Sequence, residues 1–292
     1  MAFGFADSYR RFEREVKTQA RYVYSEESNS FLTEVISTCK SRQRVVPKGS
    51  IFSRAQIGHD WTSEGPEGEI EVESAYTADR MRPRRSEVPE GRANPKGIPR
   101  LYMATTRDTA IAECRPWLGA YVSVAQFKMM RDCTIVDCSA DERDLMVTFA
   151  HDLSEEDREK AVWGEIAYAF SHPVQQSETS ADYAPTQVLV EAFRKAGYEG
   201  IAYKSLLGEG HNVAMFDLDV ADIINGSLYK INGVQYQIDQ ADNPYYVAKH
   251  YPEIAKEVGI DVSSPEADRP YTLRIVDFRP IDSEEASPGD NA

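Results

Sequence analysis

Long apolar runs are missing from this sequence. No segment of about 18 residues is apolar enough to span a bilayer, and the N-terminal residues include Arg, Glu and Lys where a signal peptide needs an uninterrupted apolar stretch. Hydrophobic residues make up 41% and charged residues 28% of the chain, as in ordinary globular proteins. We therefore expect a soluble, cytoplasmic protein.

Cysteine is scarce, and its placement excludes a disulfide framework. The 292 residues contain only four cysteines, Cys39, Cys114, Cys133 and Cys138, which are scattered along the chain. Cys133 and Cys138 lie close together, but no second Cys or His pair follows at the spacing of a zinc site. We expect reduced thiols that pack in or beside a strand, and no metal site.

The common nucleotide-binding signatures are absent as well. Gly208-Glu209-Gly210 lacks the third glycine of a dinucleotide fingerprint, and no lysine follows a glycine loop as it does in a Walker motif. The five histidines are isolated from one another in the sequence. These absences disfavour a Rossmann-type dehydrogenase and a metal-dependent enzyme.

Positive charge is in deficit, with 33 Lys and Arg against 48 Asp and Glu, a formal net charge of −15. Such a surface repels a phosphate backbone unless its basic residues cluster, so direct binding of nucleic acid is not expected. One basic cluster does exist, and its length suits a small anionic ligand better than a duplex. Its members are Arg80, Arg82, Arg84, Arg85, Arg92, Lys96 and Arg100.

The pattern of apolar residues predicts an α+β fold. Residues 5–43 read as two helices, and short β-rich runs begin near residue 50, so we place a boundary near residue 45. Residues 59–99 lack periodicity and read as one long loop. Later strands come in runs rather than in regular alternation with helices. The predicted organisation is an N-terminal helical extension at 1–45, a main domain with a C-terminal elaboration at 46–280, and a flexible acidic tail at 281–292.

Several individual elements are also predicted. A strand at 101–105 leads into a helix at 107–117, with Thr106 as its N-cap. Asn232-Gly233 between two β-rich arms at 227–238 is a strong hairpin signature. A helix at 245–257 and a strand at 271–278 precede the tail.

One stretch carries a resemblance. The run G-R-A-N-P-K-G-I-P-R-L-Y-M-A-T-T-R-D-T-A-I-A-E, residues 91–113, resembles the pattern of RES-domain proteins, which are named for an Arg, a Glu and a Ser. Two further blocks agree with it in the right order. Upstream stands Phe52-Ser53-Arg54-Ala55, and downstream stand residues 183–187, 197–205 and 212–216.

This resemblance implies an ADP-ribosyltransferase-like fold with mixed, mainly antiparallel sheets and flanking helices. It also implies a toxin that consumes NAD by hydrolysis or phosphorolysis, or that transfers ADP-ribose to a protein. NAD is then a substrate, and no separate cofactor is expected. The family implies an Xre-type helix-turn-helix antitoxin as partner, while a homo-oligomer stays open.

The chemistry of NAD cleavage indicates which residue types the active site needs. Breaking the nicotinamide-ribose bond passes through an oxocarbenium-like state, which needs a carboxylate, an aromatic platform and cations for the diphosphate. The expected catalytic residues are Glu113, Tyr102 and Arg92. The expected substrate-binding residues are Arg54, Ser205 and Asn212.

By position alone, each of these residues has a structural alternative. Glu113 is otherwise a solvated charge, Tyr102 a core residue and Ser205 a turn residue. Arg54 and Arg92 are otherwise members of surface ion pairs. A RES-like scaffold without turnover, acting as a binding module, is the alternative for the whole protein, and the intact set of site residues argues against it.

Overall fold

The computed structural model describes residues 3–65, 70–84, 88–139, 153–172, 181–236 and 238. Its first elements are two helices, α1 (Ser8–Thr18) and α2 (Glu26–Thr38). Helix α1 buries Tyr9, Phe12 and Val16, which recur every three or four positions. The predicted N-terminal helices are therefore confirmed.

The central element is an eight-stranded sheet in the order β1-β7-β8-β9-β5-β2-β6-β10. Only the β7–β8 pair is parallel, and the other pairs are antiparallel. The predicted α+β class with a mixed, mainly antiparallel sheet is confirmed. The strands are β1 (Gln43–Val46), β2 (Ile51–Ile57), β5 (Leu101–Ala104), β6 (Tyr121–Met129), β7 (Cys133–Asp137), β8 (Gly200–Lys204), β9 (His211–Met215) and β10 (Ala221–Lys230).

The remaining helices are α3 (Ala78–Met81), α4 (Arg107–Glu113), α5 (Glu155–Ser171) and α6 (Ala184–Lys195). Helices α5 and α6 lie in the chain between the two parallel strands β7 and β8, as a parallel connection requires. Helix α5 is capped by Ser154, whose hydroxyl accepts a hydrogen bond from the Asp157 amide. No described helix combines the length and the apolar character needed to cross a bilayer.

Two apolar clusters form the core, one on each face of the sheet. Because side chains alternate along a strand, Val136, Ile201 and Ala214 belong to one cluster, while Ile135 and Val213 belong to the other. The first cluster also contains buried residues of α1, α2, α5 and α6. These four helices therefore cover one face of the sheet, while Met81 of α3 packs in the cluster on the other face.

The N-terminal helices share this core with the rest of the fold. The rings of Phe12 and Phe31 stack with centroids 4.8 Å apart. The fully buried Trp163 of α5 donates from Nε1 to the Thr38 hydroxyl at 3.0 Å. A buried indole N–H needs such a partner, so α2 and α5 are joined by a polar contact inside an apolar cluster.

The prediction that residues 59–99 form one long loop is wrong. Strands β3 (Asp60–Glu64) and β4 (Ile70–Ser74) form an antiparallel ribbon here, and helix α3 follows. Most side chains of this ribbon are exposed, including Trp61 and Ile70. With little apolar burial on either face, the ribbon leaves only a weak periodic signal in the sequence.

The hairpin prediction at 227–238 is wrong. Its first arm belongs to β10, which pairs with β6 over residues 221–230. The Ile231 amide extends this pairing by donating a hydrogen bond to the Ala120 carbonyl oxygen. Residues 231–236 form no strand. Strand β10 is the last strand of the sheet, so pairing with β6 uses one of its edges, and no described strand pairs with the other edge. The helix at 245–257, the strand at 271–278 and the tail at 281–292 lie outside the described residues.

One carboxylate is buried where α1 meets α5. Glu165 of α5 is 7% exposed, and its Oε1 lies 2.6 Å from Nε of Arg10. Burial raises the pKa of Glu165 from 4.5 to about 7, and the Arg10 charge only partly opposes the rise. Folding therefore favours the protonated acid at pH values where the unfolded chain has already lost the proton.

This carboxylate predicts a pH dependence of stability. Between pH 4.5 and about 7 the folded state binds more protons at Glu165 than the unfolded state does, so its contribution falls as the pH rises through this window. We expect Glu165→Gln to flatten the decline in melting temperature between pH 5 and pH 8. Glu26→Gln, on the first turn of α2, serves as a control and should keep the wild-type profile. Identical profiles for wild type and Glu165→Gln would contradict the assignment.

Candidate functional site

Helix α4 positions the central carboxylate. Thr106 caps the helix by accepting a hydrogen bond from the Thr109 amide, as predicted. The helix ends at Glu113 rather than at residue 117. Pro116 is incompatible with the interior of a continuing helix, and Arg115 adopts a left-handed φ of 49°. Glu113 is thus the last helical residue and stands at the point where the chain turns away.

The carboxylate of Glu113 is held by two buried side chains. Its Oε1 accepts a hydrogen bond from the Ser205 hydroxyl at 2.7 Å and one from the Asn212 amide at 2.6 Å. Ser205 is 4% exposed and Asn212 is 5% exposed. Within the described part of the chain, no donor contacts Oε2. The bonds to Oε1 therefore fix the orientation of the carboxylate, and Oε2 has no donor among the described residues.

The loop between β8 and β9 packs against the start of α4. The Thr109 hydroxyl donates to the Glu209 carbonyl oxygen. A Cβ at Gly208 would lie 2.9 Å from the Thr109 Cα, so this close approach requires glycine. The glycines at 208 and 210, which do not make a dinucleotide fingerprint, belong to the packing that brings Ser205 to Glu113.

Tyr102 of β5 supports the loop that carries Arg92. Its hydroxyl donates to Asn94 Oδ1 at 2.7 Å and accepts from the Ala93 amide at 2.9 Å. Burial raises the pKa of Tyr102 well above its ordinary value. A Cβ at Gly91 would approach the Tyr102 hydroxyl to 2.9 Å. The hydroxyl is thus committed to the loop, while Tyr102 also lines the cavity described below.

Arg92 lies in the loop that the Tyr102 hydroxyl supports. One Nη donates to the His172 carbonyl oxygen, and the Nε is buried without a hydrogen-bond partner among the described residues. Burial raises the pKa of Tyr203 to about 12, and the nearby Arg92 guanidinium opposes the rise. The guanidinium of Arg92 is thus held by the His172 carbonyl oxygen, and no described carboxylate neutralises its charge.

Arg54 of β2 connects helix α3 to strand β5. Its Nε donates to the Met81 carbonyl oxygen and its Nη1 to the Tyr102 carbonyl oxygen, both at 3.0 Å. Burial lowers the pKa of Arg54. These bonds give the side chain a structural role in joining β2, α3 and β5, while its charge stays at the cavity wall.

These elements enclose a cavity of about 450 Å³. Five of the six residues expected from the sequence line it, namely Arg54, Arg92, Tyr102, Glu113 and Asn212. Ser205 reaches the cavity through its hydrogen bond to Glu113. The structure thus brings the whole predicted set together, although residues 54 and 212 are far apart in the chain.

The other lining residues, which received no role from the sequence, include Cys114, Arg115, Tyr183 and Tyr203. Tyr183 opens one of the blocks that resemble the RES pattern, so a signal for it was present. Burial raises the pKa of Cys114 to about 11, so its thiol is protonated at neutral pH and is not a nucleophile there. No described group of three His, Cys, Asp or Glu residues is arranged to hold a metal ion.

The negative and positive side chains of the cavity together suit one class of ligand. A single carboxylate stands at one wall, and three guanidinium groups, those of Arg54, Arg92 and Arg115, line the same cavity. Arg115 forms no ion pair with any described residue. A ligand with an electron-poor centre and anionic groups at some distance from it matches this distribution.

The left-handed backbone of Arg115 predicts a measurable strain. A side chain with Cβ pays about 1 kcal/mol or more in this region, whereas glycine does not. We expect Arg115→Gly to be more stable to urea than Arg115→Ala by about 1 kcal/mol, because both remove the guanidinium and only glycine relieves the backbone. Equal free energies of unfolding for the two variants would show that this conformation is not strained in the protein.

No curated protein matches this chain significantly. Among solved structures, the chain is similar to one described as "Crystal structure of the M.tuberculosis MbcT-MbcA toxin-antitoxin complex", with 12% identity and a TM-score of 0.34 over 67% of this chain and 91% of that chain.

A family model described as RES domain matches residues 69–232. This range is more than half of the 292 residues. It includes every site residue expected from the sequence except Arg54, which precedes it. The chain therefore belongs to the RES domain family.

Proposed function

We propose that this RES-domain protein cleaves the nicotinamide-ribose bond of NAD. The observation that carries the proposal is the Glu113 carboxylate, held through Oε1 by Ser205 and Asn212 at the wall of a cavity that also presents arginines and an aromatic ring. A carboxylate oriented in this way is a preorganised negative charge. Such a charge stabilises a cation that forms during the reaction.

In the proposed reaction, the bond between the ribose C1′ and the nicotinamide nitrogen breaks, and its electron pair leaves with nicotinamide. The ribose then carries oxocarbenium character, which Glu113 Oε2 stabilises electrostatically. Because Oε1 is already occupied by two donors, the carboxylate reaches this geometry without reorganising. An acceptor oxygen adds to C1′ and loses its proton to complete the exchange.

The remaining side chains bind the substrate. The ring of Tyr102 offers a platform for nicotinamide, since its hydroxyl is committed to Asn94 and Ala93. The guanidinium of Arg92 lines the cavity without a carboxylate partner among the described residues, which favours a diphosphate oxygen as its ligand. Arg54 adds a second positive charge to the wall.

The acceptor distinguishes hydrolysis, phosphorolysis and protein mono-ADP-ribosylation. All three use the same site and differ in whether water, phosphate or a protein side chain adds to C1′. Arg115 lines the cavity and is exposed, so we place the approach of small acceptors beside it. NAD hydrolysis or phosphorolysis is the reaction that we propose, and transfer to a protein is the alternative.

We further propose that the protein acts as a cytoplasmic toxin restrained by an Xre-type helix-turn-helix antitoxin. The support is membership of the RES domain family, for which the sequence resemblance implies such a pair. An inhibitor that covers Arg92 would block the cavity, and a surface of net charge −15 favours a partner that presents basic residues.

The first test measures free nicotinamide released from NAD by the purified protein, with and without phosphate. We expect Glu113→Gln to lower turnover by at least about 10²-fold, because the amide keeps the shape but removes the negative charge. Glu209→Gln, an exposed carboxylate on the neighbouring loop, is the matched control and should retain wild-type turnover. Release by Glu113→Gln within a few-fold of wild type would remove Glu113 from the mechanism.

The second test follows the protein in a bacterial host. Expressed without a partner, the wild type should arrest growth and lower cellular NAD, and Glu113→Gln should do neither. Both quantities are measured in the same culture after induction. Arrest with unchanged NAD would point to protein modification instead, and normal growth with unchanged NAD would favour a binding module without turnover.

A further inference from the structure

A second cavity lies beside the candidate active site. It has a volume of about 270 Å³, and we call it the arginine cavity because five arginines line it, namely Arg54, Arg80, Arg82, Arg84 and Arg100. Glu90 is the one carboxylate in the lining. In a protein with a net charge of −15, this local excess of positive charge runs against the composition of the chain.

Two of these arginines are already engaged elsewhere. Arg82 forms an ion pair with Asp222. The Arg100 guanidinium donates to the carbonyl oxygens of Pro99 and Phe216 and lies 5.3 Å from the Phe216 ring centroid. The bonds of Arg100 orient its guanidinium without neutralising it, and the charges of Arg54, Arg80 and Arg84 have no described carboxylate partner either.

Arg54 is a partly buried cation that bonds only to carbonyl oxygens within the described chain. Burial lowers its pKa, and the neighbouring positive charge of Arg80 lowers it further. A buried charge is normally paired because its desolvation is costly. The contacts that the protein provides to Arg54 satisfy its donors without neutralising its charge.

Arg80 and Arg84 also have no carboxylate partner among the described residues. The Arg80 guanidinium lies over the Tyr76 ring, 5.0 Å from its centroid, and Arg84 is exposed. Mutual repulsion among these cations disfavours their convergence, unless an anion compensates for it. The shape of a guanidinium also permits two parallel hydrogen bonds to phosphate oxygens.

We propose that the arginine cavity binds a phosphate group through Arg80 and Arg84, with Arg54 as the buried charge at its inner wall. This site is distinct from the carboxylate-containing cavity, although Arg54, Gly91 and Tyr102 line both and form the wall between them. The proposal does not depend on NAD cleavage. The phosphate is either a free ion or the diphosphate of a dinucleotide that extends past the shared wall.

The test is a calorimetric titration of the full-length protein with inorganic phosphate at constant pH and ionic strength. We expect Arg80→Gln/Arg84→Gln to bind phosphate at least about tenfold more weakly than wild type, as the loss of two charge-assisted contacts implies. Arg14→Gln/Lys40→Gln removes the same charge from exposed positions and should bind within about twofold of wild type, since distant surface charges are screened.

Thermal unfolding of each variant shows whether the fold is retained. If the glutamine variant does not fold, Arg80→Lys/Arg84→Lys keeps the charge but loses the forked geometry, and it should still bind more weakly than wild type. The proposal is overturned if wild type does not bind phosphate, or if a folded variant at these positions binds it as tightly as wild type. It is also overturned if only a change at Arg92 abolishes binding.

A competition experiment identifies the source of the phosphate. ADP-ribose that displaces inorganic phosphate from wild type would assign the cavity to the diphosphate of the dinucleotide. Simultaneous binding of both would assign it to a separate phosphate ion. Since neither titration requires turnover, they remain informative if the protein releases no nicotinamide, and failure here would leave the nicotinamide assay unaffected.

Discussion

The Glu113 carboxylate joins parts of the fold that are distant in sequence. Its Oε1 receives hydrogen bonds from Ser205, just after β8, and from Asn212 in β9, while its own backbone ends helix α4. A half-buried carboxylate without such donors would be costly, and buried Ser and Asn side chains without an acceptor would be costly too. The three side chains therefore satisfy one another, and this mutual satisfaction places one charged oxygen at the cavity.

The distribution of arginine gives the site its electrostatic character. The whole protein has a net charge of −15, yet positive side chains converge on two adjoining cavities separated by Tyr102, Gly91 and Arg54. Several of these arginines bind carbonyl oxygens rather than carboxylates, which orients the guanidinium group without neutralising it. Such a region attracts anionic ligands despite the acidic surface around it.

The differences between the predicted and observed elements have identifiable causes. The ribbon of β3 and β4 was not predicted, because its side chains are largely exposed and its sequence has little apolar periodicity. Asn232-Gly233 forms no hairpin, since residues 231–236 add no second arm to β10. Helix α4 stops before Pro116, which the apolar pattern alone does not weigh. In the ribbon and at the end of α4, burial or backbone geometry outweighs the local pattern.

The sequence by itself determined the class of fold, the N-terminal helices, the cap of α4 and the identity of the residues that meet at the cavity. These features depend on periodicity, capping chemistry and a motif, all of which are local in the chain. Only the tertiary structure decided that the Tyr102 hydroxyl supports a loop, that Glu113 is held through one oxygen, and that Tyr203 and Arg115 join the lining. It also decided that the basic cluster surrounds a second cavity. Such contacts arise between strands and loops that are up to about a hundred residues apart, and no local pattern encodes which partner each polar group finds.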